Sequence, residues 1–178
     1  LVPGLAARRS GLAALFRRAR AEGVKTALDI VLPGPGDHWP QLEPVLAETD
    51  VFLPNHDEGA AITGLAAPRD QAERFRQAGA RTVVITCGEA GTVVASERVR
   101  LAAGAYKTTF VGGAGAGDAF DAGYITGLLA GEDERGCLRW GSALGASCVR
   151  SVSATESVFT RDEAVRFMNE QVLEIDEW

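Results

Sequence analysis

Phe110-Val-Gly-Gly-Ala-Gly-Ala-Gly-Asp-Ala-Phe120 packs four glycines into the six residues before an acid, and an apolar run with helical character from Asp118 to Leu129 follows at once. A turn of this kind presents backbone N–H groups at the start of a helix, where the helix dipole and unsatisfied donors favour an anion, phosphate above all. Two known glycine motifs fail here. Gly112 and Gly117 have the spacing of the P-loop glycines, but Asp118-Ala119 stands where that loop needs Lys and then Ser or Thr. For the dinucleotide fingerprint, the third glycine after Gly113-x-Gly115 would fall on Asp118, and after Gly115-x-Gly117 on Phe120. A carboxylate at the mouth of an anion-binding turn suits a reaction in which a hydroxyl loses its proton as it attacks phosphorus. The same Asp118 would also serve as a plain helix N-cap. The turn by itself leaves the two readings even.

Outward from this turn the chain alternates. Apolar residues at helical spacing predict a helix over Ser10 to Glu22, which Gly23 ends. The nearly continuous apolar run Thr26 to Leu32, bounded by Pro33-Gly-Pro-Gly36, predicts a strand buried on both faces of a parallel sheet. A short helix from Pro40 to Glu48 and a strand from Asp50 to Pro54 follow, then helices from Glu58 to Leu65 and from Asp70 to Ala78, the last with Ala72, Phe75 and Arg76 inward. Arg81 to Thr86 is the strongest strand, and Thr92 to Ser96 with Val99 to Ala102 reads as an antiparallel hairpin. Beyond the glycine turn, helices are expected from Glu134 to Val149 and from Arg161 to Val172. The alternation predicts an α/β layered fold with helices on both faces of a mostly parallel sheet, with no domain boundary in residues 1–178. Ligands of such sheets lie at the C-terminal strand ends, where Asn55, Thr86 to Gly88 and the turn before Asp118 are expected to converge.

Composition narrows the class. The 178 residues are 46% hydrophobic and 24% charged, as in a folded globular chain. A net charge of −6 argues against a nucleic-acid surface. The one basic cluster, Arg8, Arg9, Arg17, Arg18 and Arg20, reads as a solvated helix face. No apolar run reaches the roughly 20 residues of a membrane span and no signal-peptide pattern is present, so a cytoplasmic location is expected. Cys87, Cys137 and Cys148 form no metal-ligand or disulfide pattern and are expected to be free thiols. His38 and His56 read as loop or surface residues rather than catalysts.

Gly115-Ala-Gly-Asp-Ala-Phe120, with Ala122-Gly123 and Gly127-Leu128 behind it, resembles the Gly-Ala-Gly-Asp motif of the ribokinase-like (PfkB) carbohydrate kinases. Leu53-Pro-Asn-His-Asp-Glu58 is similar to that family's Asn-x-x-Glu motif, and Thr86-Cys-Gly-Glu-Ala-Gly91 to its Thr-x-Gly-x-x-Gly turn, in the family's order. The resemblance implies a three-layer α/β/α fold and ATP-dependent phosphorylation of a carbohydrate hydroxyl. It implies Asp118 as general base and the amides of Gly115, Ala116 and Gly117 as an anion hole. Thr86, Gly88, Gly91 and Ser142 would line the nucleotide, and Asn55 and Glu58 would help hold Mg2+, through water. Trp140-Gly-Ser-Ala-Leu-Gly-Ala146 would wall the adenine pocket, although close helix packing explains its small residues equally well. Asp29 ends the first strand where the family often has a polar residue near the phosphates.

Two departures qualify the resemblance. The family commonly has Asp-Thr-Thr before Gly-Ala-Gly-Asp, that Asp being a ligand in cation-stimulated members, and this chain has Gly112-Gly-Ala114, which puts potassium activation in doubt. The resemblance also covers only the C-terminal, ATP-binding and catalytic portion of the family pattern. The N-terminal part of the fold, with most sugar contacts, is not in this sequence, so residues 1–178 are expected to be one partial domain that starts in mid-domain. The open alternatives are a kinase-derived nucleotide-binding module without turnover and a nucleoside kinase of the same family. Expected partners are a sugar or nucleoside and a second copy in the intact protein, with neither nucleic acid nor membrane.

Overall fold

A computed structural model describes residues 11–32 and 34–178. Arg8, Arg9 and Ser10 of the expected basic helix, and Pro33, lie outside the described residues. The elements are α1 (Gly11–Ala21), β1 (Ala27–Leu28), α2 (Trp39–Leu46), β2 (Val51–Phe52), α3 (His56–Thr63), α4 (Pro68–Gln77), β3 (Thr82–Thr86), β4 (Thr92–Ser96), β5 (Arg100–Ala103), α5 (Ala116–Leu129), α6 (Glu134–Cys148), α7 (Arg161–Glu170) and β6 (Ile175–Glu177), with a single 3-10 turn at Gly88–Ala90. The sheet is mixed, in the order β1-β2-β3-β4-β5-β6. Two compact units divide the chain. The first runs to Cys87 and adds Val93–Arg100; the second comprises Gly88–Thr92 and Leu101–Trp178.

In the first unit β1, β2 and β3 are parallel, with Ala27 beside Val51 and Val51 beside Thr82. Val83, Val84 and Ile85 of β3 are fully buried, and Phe52 meets the buried Phe75 of α4 edge-on at 4.9 Å. Aromatic pairs of this geometry contribute beyond their buried area. At the N-terminal ends of the strands, the buried Asp50 accepts the Thr26 N–H at 2.9 Å and faces Arg81 at 3.2 Å, which anchors β1 to β2. One expectation fails. The run Thr26 to Leu32 is not buried on both faces: Ala27, Asp29 and Val31 are exposed between the buried Thr26, Leu28 and Ile30, and only two residues form the ladder. Among the described residues β1 stands at the end of the strand order and pairs with β2 alone.

Ser96 N–H donates to the Val99 carbonyl at 2.9 Å, and the Ser96 hydroxyl accepts from Arg98 and Val99 N–H, closing the turn between β4 and β5. In the second unit β5 and β6 are antiparallel, with Ala102 opposite Asp176. The sequence reading missed β6 and carried α7 on to Val172, whereas the helix ends at Glu170. Leu173-Glu-Ile-Asp-Glu-Trp178 is short and acid-rich, a composition depleted in strands, and only the partner β5 makes it one. Trp178 fastens the end by donating its indole N–H to the Leu101 carbonyl at 2.9 Å.

Helices α5 and α6 form the core of this unit. Their close approach depends on glycine: a Cβ at Gly127 would lie 2.8 Å from the Cys137 Cα, and one at Gly141 would lie 3.0 Å from the Phe120 ring. Gly141 and Gly145, one turn apart, both face Phe120. Helix packing therefore accounts for these two small residues, a point the sequence left open.

Candidate active site

In the first unit the site is built where the parallel strands end. Asn55 forms a parallel bridge with Thr86, and the Thr86 N–H donates to the Pro54 carbonyl at 3.2 Å, so Asn55, Glu58 and Thr86 come together. Asn55 is also the N-cap of α3. Its side-chain oxygen accepts the Glu58 N–H at 2.9 Å while the Glu58 carboxylate accepts the Asn55 N–H at 2.9 Å, a reciprocal capping box. Burial pushes the Glu58 carboxyl above its usual range; the Asn55 N–H pulls the other way, and Asp29 and Asp57 add repulsion. Burial likewise raises the Cys87 thiol, and Asp57 raises it further.

No group of three His, Cys, Asp or Glu side chains among the described residues is placed to hold a metal ion. The donors fit a magnesium ion that keeps most of its water and takes its other oxygens from a nucleotide, not an all-protein cage. Glu58 has one oxygen outside the capping box, in the field of Asp29 and Asp57, where positive charge would be welcome. The two histidines have structural work. His56 Nδ1 lies 3.1 Å from the amide nitrogen of the fully buried Gln71, and His38 Nε2 lies 2.8 Å from the Gly34 carbonyl.

In the second unit, Gly88–Ala90 turn tightly and the Gly91 N–H donates to the Gly88 carbonyl at 3.1 Å. Gly91 has φ +93°, and a Cβ there would strike the Ala103 carbonyl oxygen, so packing alone requires glycine. Gly88 also has positive φ, but nothing lies within 4 Å of its missing Cβ, leaving the turn open to a ligand.

The C-terminal end of α6 holds the glycine-rich turn. Val149, the C-cap of that helix, accepts the N–H groups of Val111 and Gly112 at 2.7 and 3.1 Å, and the Ala146 carbonyl accepts the Thr108 hydroxyl at 3.0 Å. These carbonyls belong to the helix end, where acceptors lack internal partners. A Cβ at Gly112 would lie 3.1 Å from the Ser151 oxygen and 3.2 Å from the Val152 Cα, so the missing family Asp would not fit here without a shift. Gly115 adopts φ +76° and is the N-cap of α5. Helix α5 thus starts two residues before the sequence reading placed it. Ala116 N–H donates back to Gly113 at 3.2 Å, and Ala119 N–H makes the first full helical bond, to Gly115 at 2.9 Å. Gly117 and Asp118 lie between them, in the first turn, where N–H groups point outward.

Asp118 is therefore the third residue of α5, not its cap. Its side chain is exposed, and no side chain caps this helix. The helix-cap reading that competed with catalysis is removed by this geometry. Ser142 is half-buried on α6. Cys148 was not singled out for any role by sequence reasoning; it is fully buried behind the turn, with its Sγ at 3.4 Å from the Ala114 oxygen and 3.2 Å from the Ala154 oxygen. Nothing in Ser147-Cys-Val-Arg150 marks this, because both partners are backbone carbonyls of loops outside the helix.

The family model for pfkB family carbohydrate kinases matches residues 5–161. Ribokinase of Haemophilus influenzae is 28% identical over 164 residues, covering 89% of this chain and 52% of that protein. An ATP-dependent 6-phosphofructokinase of Thermoanaerobacterium thermosaccharolyticum is 30% identical over 113 residues, 64% of this chain and 35% of that one. Among solved structures, aminoimidazole riboside kinase from Salmonella enterica, complexed with aminoimidazole riboside and an ATP analogue, superposes with TM-score 0.80 at 24% identity, over 93% of this chain and 60% of that one. Arabidopsis thaliana ribokinase, complexed with ribose and ATP, gives 0.79 at 20% identity, over 90% and 52%. These two likenesses establish the three-layer ribokinase fold class. The chain spans about half the length of the H. influenzae relative. With nearly nine-tenths of its residues matched by the family model, the chain belongs to the pfkB family of carbohydrate kinases.

Proposed function

We propose that this chain carries the ATP-binding and base-bearing part of a kinase that moves the γ-phosphoryl group of ATP to a hydroxyl of a sugar or nucleoside. The observation that carries the reading is Asp118, an exposed carboxylate with no capping duty in the first turn of α5. Asp118 accepts the hydroxyl proton as the substrate oxygen bonds to the γ-phosphorus and the bond from that phosphorus to the ADP oxygen breaks. The amides of Gly115, Ala116 and Gly117 are assigned to the anion hole, aimed at charge that grows on the transferring group. In this structure the Ala116 N–H is turned to Gly113, so serving there requires it to exchange that bond for the phosphoryl oxygen.

Thr86, Gly88 and Gly91 are assigned to the nucleotide phosphates and ribose, and Ser142 to the adenine side. Asn55 and Glu58 would orient water around Mg2+, whose chemistry when bound is to neutralise phosphate charge. Gly112 supplies no carboxylate for a monovalent cation. Among the described residues no helix is long and apolar enough to cross a membrane, and a cytoplasmic enzyme is the reading we adopt.

Two further readings each have an observation behind them. The Salmonella enterica neighbour is a riboside kinase, which keeps nucleosides among the acceptors. A nucleotide-binding module without turnover is the other, since Gly112 stands where the family commonly has an Asp. An assay of ADP formation from Mg-ATP against a panel of sugars and nucleosides, with this chain and with any longer protein containing it, separates them. Acceptor-dependent ADP and a phosphorylated acceptor are expected. Mg-ATP binding without transfer to any acceptor would establish the module instead.

A further inference from the structure

We propose that Cys148 is a positioning residue: its thiol ties the glycine-rich turn at Ala114 to the Ala154 loop and so holds the turn's amides in place for an anionic group. The inference rests on the reading of that turn as phosphate-holding.

Cys148 is the last residue of α6 and is fully buried. A thiol in a helix ordinarily turns to a carbonyl in the preceding turn of its own helix. This one lies instead between carbonyls of two different loops, at 3.4 Å from Ala114 and 3.2 Å from Ala154. One S–H proton serves both acceptors, shared or in alternation, which suits a soft, weak donor at long distances. Burial raises the thiol above its ordinary range, and Asp118 adds to this, which favours the protonated, donating form.

Other contacts converge on the same junction. The Ala154 Cβ lies 2.7 Å from where a Gly115 Cβ would be, so the two loops are in direct contact at the N-cap of α5. Val149 O holds Val111 and Gly112, and the Ser157 hydroxyl shares its one proton between the Ser147 and Cys148 carbonyls, 2.7 and 2.9 Å away, closing the second loop back onto α6. The Val149 carbonyl thus fixes one end of the junction and the Ser157 hydroxyl the other, and the Cys148 thiol spans its middle. Preorganised amides stabilise developing charge because they need not reorganise when it appears, so a clamp behind them acts on function without touching the ligand.

The same unit contains a matched control. Cys137 is also fully buried in α6, but in its first turn, where its thiol donates to the Glu132 carbonyl at 3.8 Å and lies against Gly127 rather than the glycine turn. Truncating either cysteine to Ala removes one buried sulfur, yet only one truncation opens the junction. The test is amide hydrogen exchange of the unliganded protein, with Mg-ADP affinity as a second readout. Cys148→Ala should speed exchange at Val111, Gly112 and Ala116 by about tenfold relative to Cys137→Ala, the effect of losing one modest hydrogen bond, with Tyr124 in mid-α5 alike in both. Mg-ADP affinity should fall by a similar factor in Cys148→Ala only, and Cys148→Ser should recover part of both effects. Equal exchange at those three amides in the two Ala variants would overturn the proposal. Should Cys148→Ala not fold, Cys148→Ser decides it: the hydroxyl, on a shorter bond, must loosen the three amides while Tyr124 stays protected. If the unaltered protein binds no Mg-ADP, the kinase reading falls while the exchange result still decides the clamp.

Discussion

Helices α3 and α5 begin with the same chemistry and use it differently. Each has an acid at its third position, Glu58 in α3 and Asp118 in α5. Glu58 is bent back onto the Asn55 N–H and completes a capping box; Asp118 makes no cap, because Gly115 starts the helix in a left-handed conformation with no side chain. The contrast shows how to tell a structural acid from an available one. At a helix start the question is what the preceding residue can offer: Asn55 engages its acid reciprocally, and glycine leaves its acid free.

The largest break in this comparison should come from the cap itself. Gly115→Ala forces a left-handed residue and drives a methyl to 2.7 Å from the Ala154 Cβ, so it should destabilise by about 2–4 kcal/mol in urea unfolding. Gly64, the C-cap of α3, has similar φ, +71°, but nothing within 4 Å of its missing Cβ, so Gly64→Ala should cost about 1–2 kcal/mol. Equal costs would mean that the Ala154 contact contributes nothing.

A smaller effect separates the two acids. Asn55→Ala removes a side-chain cap and should cost about 0.5–2 kcal/mol, whereas Asp118→Ala, which removes no cap, should stay within about 0.5 kcal/mol in the same measurement. A loss for Asp118→Ala as large as for Asn55→Ala would return Asp118 to a structural role.

The smallest expected effect sharpens what a capping box does. Thr160 and Glu163 at the start of α7 form a second one, and there the acid shifts the other way. The Thr160 N–H and then its hydroxyl bond the exposed Glu163 and lower its pKa, while burial and then Asp29 and Asp57 raise that of Glu58 against the pull of its own Asn55 bond. A carboxyl raised on folding contributes most below its unfolded pKa and loses that contribution as pH rises through the folded value. A lowered one contributes above its unfolded pKa and loses it as pH falls. In Tm against pH, Glu58→Gln should therefore remove a decline that starts from about pH 4.3 upward, and Glu163→Gln a decline below about pH 4.3. Slopes of the same sign would refute the assigned environments.

Local chemistry made much of this legible in advance. Asn55 and Glu58 were singled out by their likeness to the family's Asn-x-x-Glu motif, and Gly23 and the strand at Thr82–Thr86 by composition and periodicity. What escaped depends either on a cap without a side chain or on partners outside the local run. The start of α5 was set two residues late because a glycine cap has no side chain to announce it. Strand β6 exists through β5, and Cys148 acquires its place from Ala114 and Ala154, 34 and 6 residues away. The exposure of Ala27, Asp29 and Val31 in and beyond β1 is likewise something no run of apolar residues reveals.

The most direct test of the whole account is the rate of phosphoryl transfer from Mg-ATP to an accepted hydroxyl compound, compared between the unaltered protein and Asp118→Asn. General-base assistance predicts a loss of about 10²–10⁴ in kcat with unfolding stability and Mg-ATP affinity nearly unchanged. Undiminished transfer by Asp118→Asn would contradict the assignment of Asp118 as base.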